Sequence, residues 1–150
     1  MLATPRWRYK QGSKRSQALF GFMSINGNDC LCTAQQAKGA NFQDFLKQIR
    51  RANWGQYPIG LILDNARIHK AKATRLLARK LNIHLLFLPP YSPHLNPIEF
   101  AWKDGKKQLS RIADFDLALQ NAEQVFLNII QSRKQSYSKN WCKKFISSTS

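Results

Sequence analysis

Two short apolar runs bracket a basic amphipathic stretch, and this pattern constrains the fold more than any other feature of the sequence. Residues 59–63 (Ile-Gly-Leu-Ile-Leu) end sharply at Asp64-Asn65, and residues 83–88 (Ile-His-Leu-Leu-Phe-Leu) stop at Pro89-Pro90. Runs of this length with apolar residues on both faces read as buried strands. The 67–81 stretch between them reads as a helix. Its predicted inner face is Ala73, Leu76, Leu77 and Leu81, with basic residues crowding the remainder.

The flanking segments extend this unit. Residues 17–25 and 29–34 read as a strand pair turned at Asn26-Gly27. A helix is expected from Asn41 to about Ala52, with Asn41 and Asp44 as a capping-box-like start and Phe42, Phe45, Leu46 and Ile49 on one face. Asn96-Pro97 reads as N-cap and first residue of a further helix. A last helix is expected over 116–131, with Ala118, Ala122, Val125, Phe126, Ile129 and Ile130 inside, followed by a polar, basic tail in which Trp141 and Phe145 are expected to dock in part. A hairpin followed by strand–helix alternation means a mixed α/β sheet flanked by helices.

Charge narrows the partner class. The 150 residues carry 24 Lys and Arg against 8 Asp and Glu, a net charge of +16 spread along the whole chain. A polyanion is therefore the leading partner. Arg6, Arg8, Lys10, Lys14 and Arg15, interleaved with Trp7 and Tyr9, read either as a backbone-binding and base-stacking segment or as a poorly packed end. No apolar run reaches the length of a membrane span, and the start has no apolar core of a signal peptide. Three cysteines cannot close a disulfide set, which favours a reducing compartment. Cys30 and Cys32 share one strand face and read as small core residues; with His84, His94 and Cys142 they lack the paired spacing of a zinc site.

Against this basic background the carboxylates stand out. Asp64 sits at the carboxyl end of a buried strand, where α/β sheets place ligands. Glu99 sits in the first turn of a helix behind a Pro-rich loop. Carboxylates so placed suit metal-assisted phosphoryl transfer, in which oxygen ligands hold divalent cations. Each also has a structural reading: Asp64 as a helix cap and Glu99 as the third residue of a capping box begun by Asn96.

Two longer motifs weigh between these readings. Residues 63–70 (Leu-Asp-Asn-Ala-Arg-Ile-His-Lys) resemble the second-aspartate motif of DDE transposases. Residues 88–102 (Leu-Pro-Pro-Tyr-Ser-Pro-His-Leu-Asn-Pro-Ile-Glu-Phe-Ala-Trp) resemble the third-carboxylate motif of the same family. Between Asp64 and Glu99 lie 34 residues, a spacing similar to that of mariner-related bacterial insertion-sequence transposases. The resemblance spans roughly residues 5–131. It implies an RNase H-like catalytic domain that cuts DNA at element ends and joins the 3′ hydroxyl to target DNA with Mg²⁺ or Mn²⁺. Asp64 and Glu99 are then the expected catalytic metal ligands. Asn65, Arg67, His69 and Lys70 are expected to face nucleic acid; Asn65 and His69 match the motif and orient either substrate or a water near the metal, with His69 read as solvated or near phosphate rather than as a metal ligand. Lys103, Lys106 and Lys107 on the helix of Glu99 either meet phosphate beside the metal site or solvate the outer face of the helix. The implied setting is a bacterial cytoplasm at the nucleoid, with DNA, a second copy of the chain and the N-terminal half of the same transposase as partners and no membrane.

The family uses a third carboxylate, on the first strand of the sheet, ahead of a Trp–Gly region that residues 7–12 resemble. No acidic residue precedes Asp29, so the chain is expected to begin just past that aspartate, without the first strand and without an N-terminal helix-turn-helix. A frameshifted element, a decayed remnant and a misassigned start each account for that. A sheet lacking its central strand leaves unpaired backbone groups, from which poor stability follows. The reading is a partial catalytic domain over 1–131 and a basic tail over 132–150, inactive alone. The alternatives are an inactive remnant that binds DNA through charge and, last, a basic RNA-binding structural protein.

Overall fold

The computed structural model describes residues 2–5 and 17–146. The basic–aromatic stretch 6–15, including the region 7–12, lies outside the described residues. Five strands form one sheet: β1 (Leu2–Pro5), β2 (Ala18–Met23), β3 (Cys30–Ala34), β4 (Ile59–Leu63) and β5 (Ile83–Phe87), in the order β3-β2-β1-β4-β5. β1 to β3 are antiparallel neighbours, whereas β1, β4 and β5 run parallel. The helices are α1 (Gly39–Ala52), α2 (Arg67–Lys70), α3 (Lys72–Lys80), α4 (Ile98–Leu109) and α5 (Phe115–Ile146).

The centre of the sheet corrects one expectation. Residues 2–5 fill the position between β2 and β4 that was expected to be empty, pairing Leu2↔Met23 through Pro5↔Phe20 on one side and Leu2↔Ile62 on the other. Leu-Ala-Thr is strand-compatible, but four residues are too few to show a period in the sequence. The unpaired backbone from which poor stability was argued is therefore bridged, fully on the β2 side and at one register position on the β4 side.

Alternation along β2 builds two cores, one on each face. Phe20 and Phe22 join Phe42, Phe45, Leu46 and Ile49 of α1 with Ile59, Leu61 and Leu63 of β4. Leu19 and Met23 join Ile98, Ala101 and Trp102 of α4 with Ala118, Ala122, Phe126 and Ile130 of α5. The result is a sheet with helices on both faces, the geometry a parallel crossover demands. Gly21 is required between them, because a Cβ there would meet the Trp102 ring at 2.5 Å.

Several local details depart from the sequence reading. The 24–29 connection is no two-residue hairpin turn, and Gly27 has no positive φ. Gly27 is needed instead for closeness to Asn53, while Ser24 Oγ accepts from Gly27 N–H (2.6 Å) and Asp29 Oδ1 from Ser24 N–H (2.8 Å). α1 starts at Gly39, two residues before Asn41, and no side chain caps it. The 67–81 helix breaks at Ala71 (φ −55°, ψ 140°), which rotates α3 so that Thr74 and Ala78 are buried while Leu76 is half exposed. β5 is an edge strand with Leu86 exposed, not a strand buried on both faces. α5 continues to Ile146, well past 131. Its polar second half is a helix face: Tyr137 Oη (2.7 Å) and Arg133 bond Asp104 of α4, and Lys134 Nζ bonds Asp29 (3.0 Å). The side chains of Trp141 and Phe145 lie outside the described residues. Cys30 and Cys32 do pack into the α1-side core, and burial pushes both thiols up to about 11.

Candidate active site

β4 ends at Leu63, and Asp64 follows at the carboxyl edge of the parallel half of the sheet. Its Oδ1 accepts from Ala66 N–H (3.0 Å), a bond ahead of α2 whose N-cap is Ala66 with no side-chain cap, so Asp64 is not the helix cap, and the carboxylate remains partly open to solvent. Asn65 Nδ2 donates to the Leu88 carbonyl (2.5 Å), and Leu88 N–H donates to the Leu63 carbonyl (2.9 Å). Those two bonds staple the ends of β4 and β5 together, and they set the departure point of the Pro-rich loop.

That loop carries the chain to α4. Tyr91, almost fully exposed, takes a left-handed conformation (φ 58°) that is uncommon outside glycine and asparagine. A short 3₁₀ turn (Pro93–Leu95) follows, and α4 begins at Ile98. Asn96 is no side-chain cap: its backbone carbonyl accepts from Glu99 N–H (3.0 Å), and its side chain is buried. Ile98, Ala101 and Trp102 anchor α4 in the α5-side core, which leaves Glu99 on the sheet-edge side.

A cavity of about 480 Å³ is lined by Asp64, Asn65, Lys70, Asn96, Glu99 and the loop 88–93. The two carboxylates therefore meet in one place although they come from different elements. Burial, and after it the negative charge of Asp64, push the Glu99 carboxyl above its usual pKa, while Lys106 pulls the other way. A raised folded-state pKa favours the native state below the unfolded pKa, and that advantage is lost as pH rises through the folded value. Glu99→Gln is thus expected to melt higher than the parent chain at pH 7 without divalent cations, with the gap closing toward pH 4. Thermal melts across that range, read by circular dichroism, check it; a gap independent of pH would mean that Glu99 carries no ionisation penalty.

His69 departs from expectation. It is fully buried rather than solvated, with its ring 4.4 Å from that of Phe42. Its Nδ1 lies 2.9 Å from Asp64 Oδ1 and 3.2 Å from the Asp64 carbonyl oxygen. The ring holds Asp64 from beneath and does not reach toward solvent phosphate. The apolar partner is 27 positions upstream, so the basic local sequence hid it. Arg67 and Lys70 are exposed on α2, as are Lys103, Lys106 and Lys107 on α4. Lys70 also lies over the Phe87 ring, 5.9 Å from its centre. Asn96 is the site residue that sequence reasoning assigned elsewhere; its position one turn before Glu99 was the available signal.

Among the described residues no group of three or more His, Cys, Asp or Glu side chains is assembled to hold a metal ion. No helix among them is long and apolar enough to cross a membrane.

The fold has counterparts in known proteins. The catalytic domain of Mos1 mariner transposase superposes with a TM-score of 0.62 at 16% identity, covering 95% of this chain and 81% of that one. The same domain with Raltegravir and Mg gives 0.62 at 18% identity, covering 95% and 82%. A simian T-cell lymphotropic virus intasome chain gives 0.63 at 16% identity, covering 81% of this chain and 46% of that one. These likenesses establish the RNase H-like fold. The chain spans 55% of the Mos1 chain in its paired-end complex with a left transposon end. No curated protein matches the sequence. The family described as DDE superfamily endonuclease matches residues 3–118, a stretch that holds all but the first residue of β1, β2 to β5, Asp64 and Glu99. With most of its length and both cavity carboxylates inside that match, the chain belongs to the DDE superfamily endonucleases.

Proposed function

We propose that this chain is the catalytic part of a transposase that cleaves and joins DNA strands with Mg²⁺ or Mn²⁺. The observation that carries it is the meeting of Asp64 and Glu99 in one cavity, close enough for one charge to disfavour the other. A divalent cation fits that set: the donors are hard oxygens, and a cation offsets the burial and, after it, the repulsion from Asp64 that raise the Glu99 pKa. Mos1 structures that contain Mg or Mn point to the same ions. Asp64 and Glu99 would hold the cation, which when bound activates a hydroxyl nucleophile and offsets charge on the phosphoryl group. His69 keeps the Asp64 carboxylate oriented, a role outer-shell histidines and carboxylates share in metal sites. Lys70 and Lys106 place positive charge at the cavity for a phosphate backbone, and Arg67, Lys103 and Lys107 extend it, with Asn65 fixing the wall.

DNA, as element ends and as target, is the proposed substrate, with a second copy of the chain and the N-terminal half of the same enzyme as proposed partners in a bacterial nucleoid. Two carboxylates are too few for a two-ion site, so residues 1–150 by themselves are proposed not to cleave. Catalytic competence then depends on a third carboxylate that residues 1–150 do not bring to this cavity. Two assays test this. Mn²⁺ binding followed by electron paramagnetic resonance should weaken about tenfold or more in Asp64→Asn and in Glu99→Gln; unchanged binding in both overturns the metal assignment. Supercoiled plasmid should stay closed with the 150-residue chain and Mn²⁺. Nicking that disappears in Asp64→Asn would show that two carboxylates suffice.

A further inference from the structure

We infer that Asn96 is a substrate-contacting residue, its side-chain amide donating to a non-bridging oxygen of the phosphodiester that sits beside Asp64 and Glu99. Only 1% of Asn96 is exposed, and neither Nδ2 nor Oδ1 has a hydrogen-bond partner. Buried amides are almost always satisfied, because an unmet donor or acceptor keeps its full desolvation cost. The structural work at this position is done by the backbone: Asn96 N–H donates to the Pro93 carbonyl (3.0 Å) and the Asn96 carbonyl accepts from Glu99 N–H (3.0 Å). Helix capping does not use the side chain. A leucine, with the same branching and no polar atom, would carry no such penalty, so the amide has no reason to be here that the fold supplies.

The cavity supplies one. Asn96 lines it together with both carboxylates. Ionised carboxylates only accept hydrogen bonds, so a phosphodiester drawn in beside them needs donors from another group. A lysine at this depth would pair with Glu99 and compete with a cation. A neutral amide donates without neutralising either carboxylate. His69 Nε2, the other unpartnered buried atom near Asp64, does not line the cavity and so is not a rival for this role.

This assignment rests on the metal-dependent phosphodiester chemistry proposed above, and the test separates the two. The full 150-residue chain is titrated with the dinucleotide thymidylyl-(3′→5′)-thymidine, with and without Mg²⁺, and binding is followed by ¹⁵N–¹H correlation spectra. Four proteins are compared: the parent chain, Asn96→Leu, the isosteric Asn96→Asp, and Asp64→Asn. Asn96→Leu should melt about 2–6 °C higher than the parent, because it removes an unsatisfied buried group. Both Asn96 variants should bind the dinucleotide about tenfold more weakly in Mg²⁺. A melting temperature for Asn96→Leu that stays level or falls shows that the amide is satisfied within the fold and overturns the assignment. Unchanged dinucleotide binding in both Asn96 variants overturns it as well, while leaving the metal reading intact if Asp64→Asn loses the Mg²⁺-dependent binding. Absence of any Mg²⁺-dependent binding by the parent chain overturns both.

Discussion

Phe126→Ala is expected to cost about 3–5 kcal/mol of folding stability, the range for removing a fully buried aromatic ring. Phe126 has no exposed surface and packs edge-on against Trp102, with ring centres 4.8 Å apart. The same ring covers Gly105, where any Cβ would collide with it. A glycine opposite the lost ring has no side chain to swing into the space, so the cavity cannot be refilled from α4. Small domains are typically stable by about 5–15 kcal/mol, so this loss is a large share of the total. Urea denaturation followed by circular dichroism measures it. A loss below about 1 kcal/mol would mean that α5 is not what holds α4, and hence Glu99, against the sheet.

His69→Ala is the second large effect. The ring is fully buried against Phe42 and bonded to Asp64, so both packing and a hydrogen bond are lost. The expected cost is about 2–4 kcal/mol. Mn²⁺ affinity should fall along with stability, since the Asp64 carboxylate loses its orientation. His69→Asn places an amide N–H near the position of Nδ1 and should recover part of the Mn²⁺ affinity but little of the stability. A histidine that served packing alone would show no such split. Equal Mn²⁺ affinity in parent and His69→Ala would remove its positioning role.

The contrast between His69 and Asp64 shows what the sequence could disclose. Asp64 was legible because the signal is local: an apolar run, its abrupt end, and the motif around it. The buried face of α1 was legible for the same reason, since Phe42, Phe45, Leu46 and Ile49 repeat with the helical period. His69 is not legible in this way, because its environment comes from α1, across a tertiary contact that the neighbouring Arg67 and Lys70 disguise. The break at Ala71 was invisible for a related reason: alanine and lysine are good helix formers, and the propensity is overridden by the turn that brings His69 beneath Asp64. The second half of α5 looked like a tail because its docking to α4 and to Asp29 is polar, and polar docking leaves no hydrophobic period. Asn96 reads as a cap in the sequence because caps and site residues draw on the same small set of side chains.

The two helical layers lie on opposite faces of the sheet, and each cavity carboxylate is fastened to a different layer. Asp64 is tied through His69 to Phe42 and the α1 side, whereas Glu99 rides on α4 and is fastened through Ile98 and Trp102 to the α5 side. Any shear between the layers would therefore change the span between the two oxygen donors directly. A ligand that grips both donors resists that shear, as a rivet resists the slip of two plates. Rigidity between layers and grip at the sheet edge are in this sense one mechanical property, set as much by the ring of Phe126 as by the carboxylates themselves.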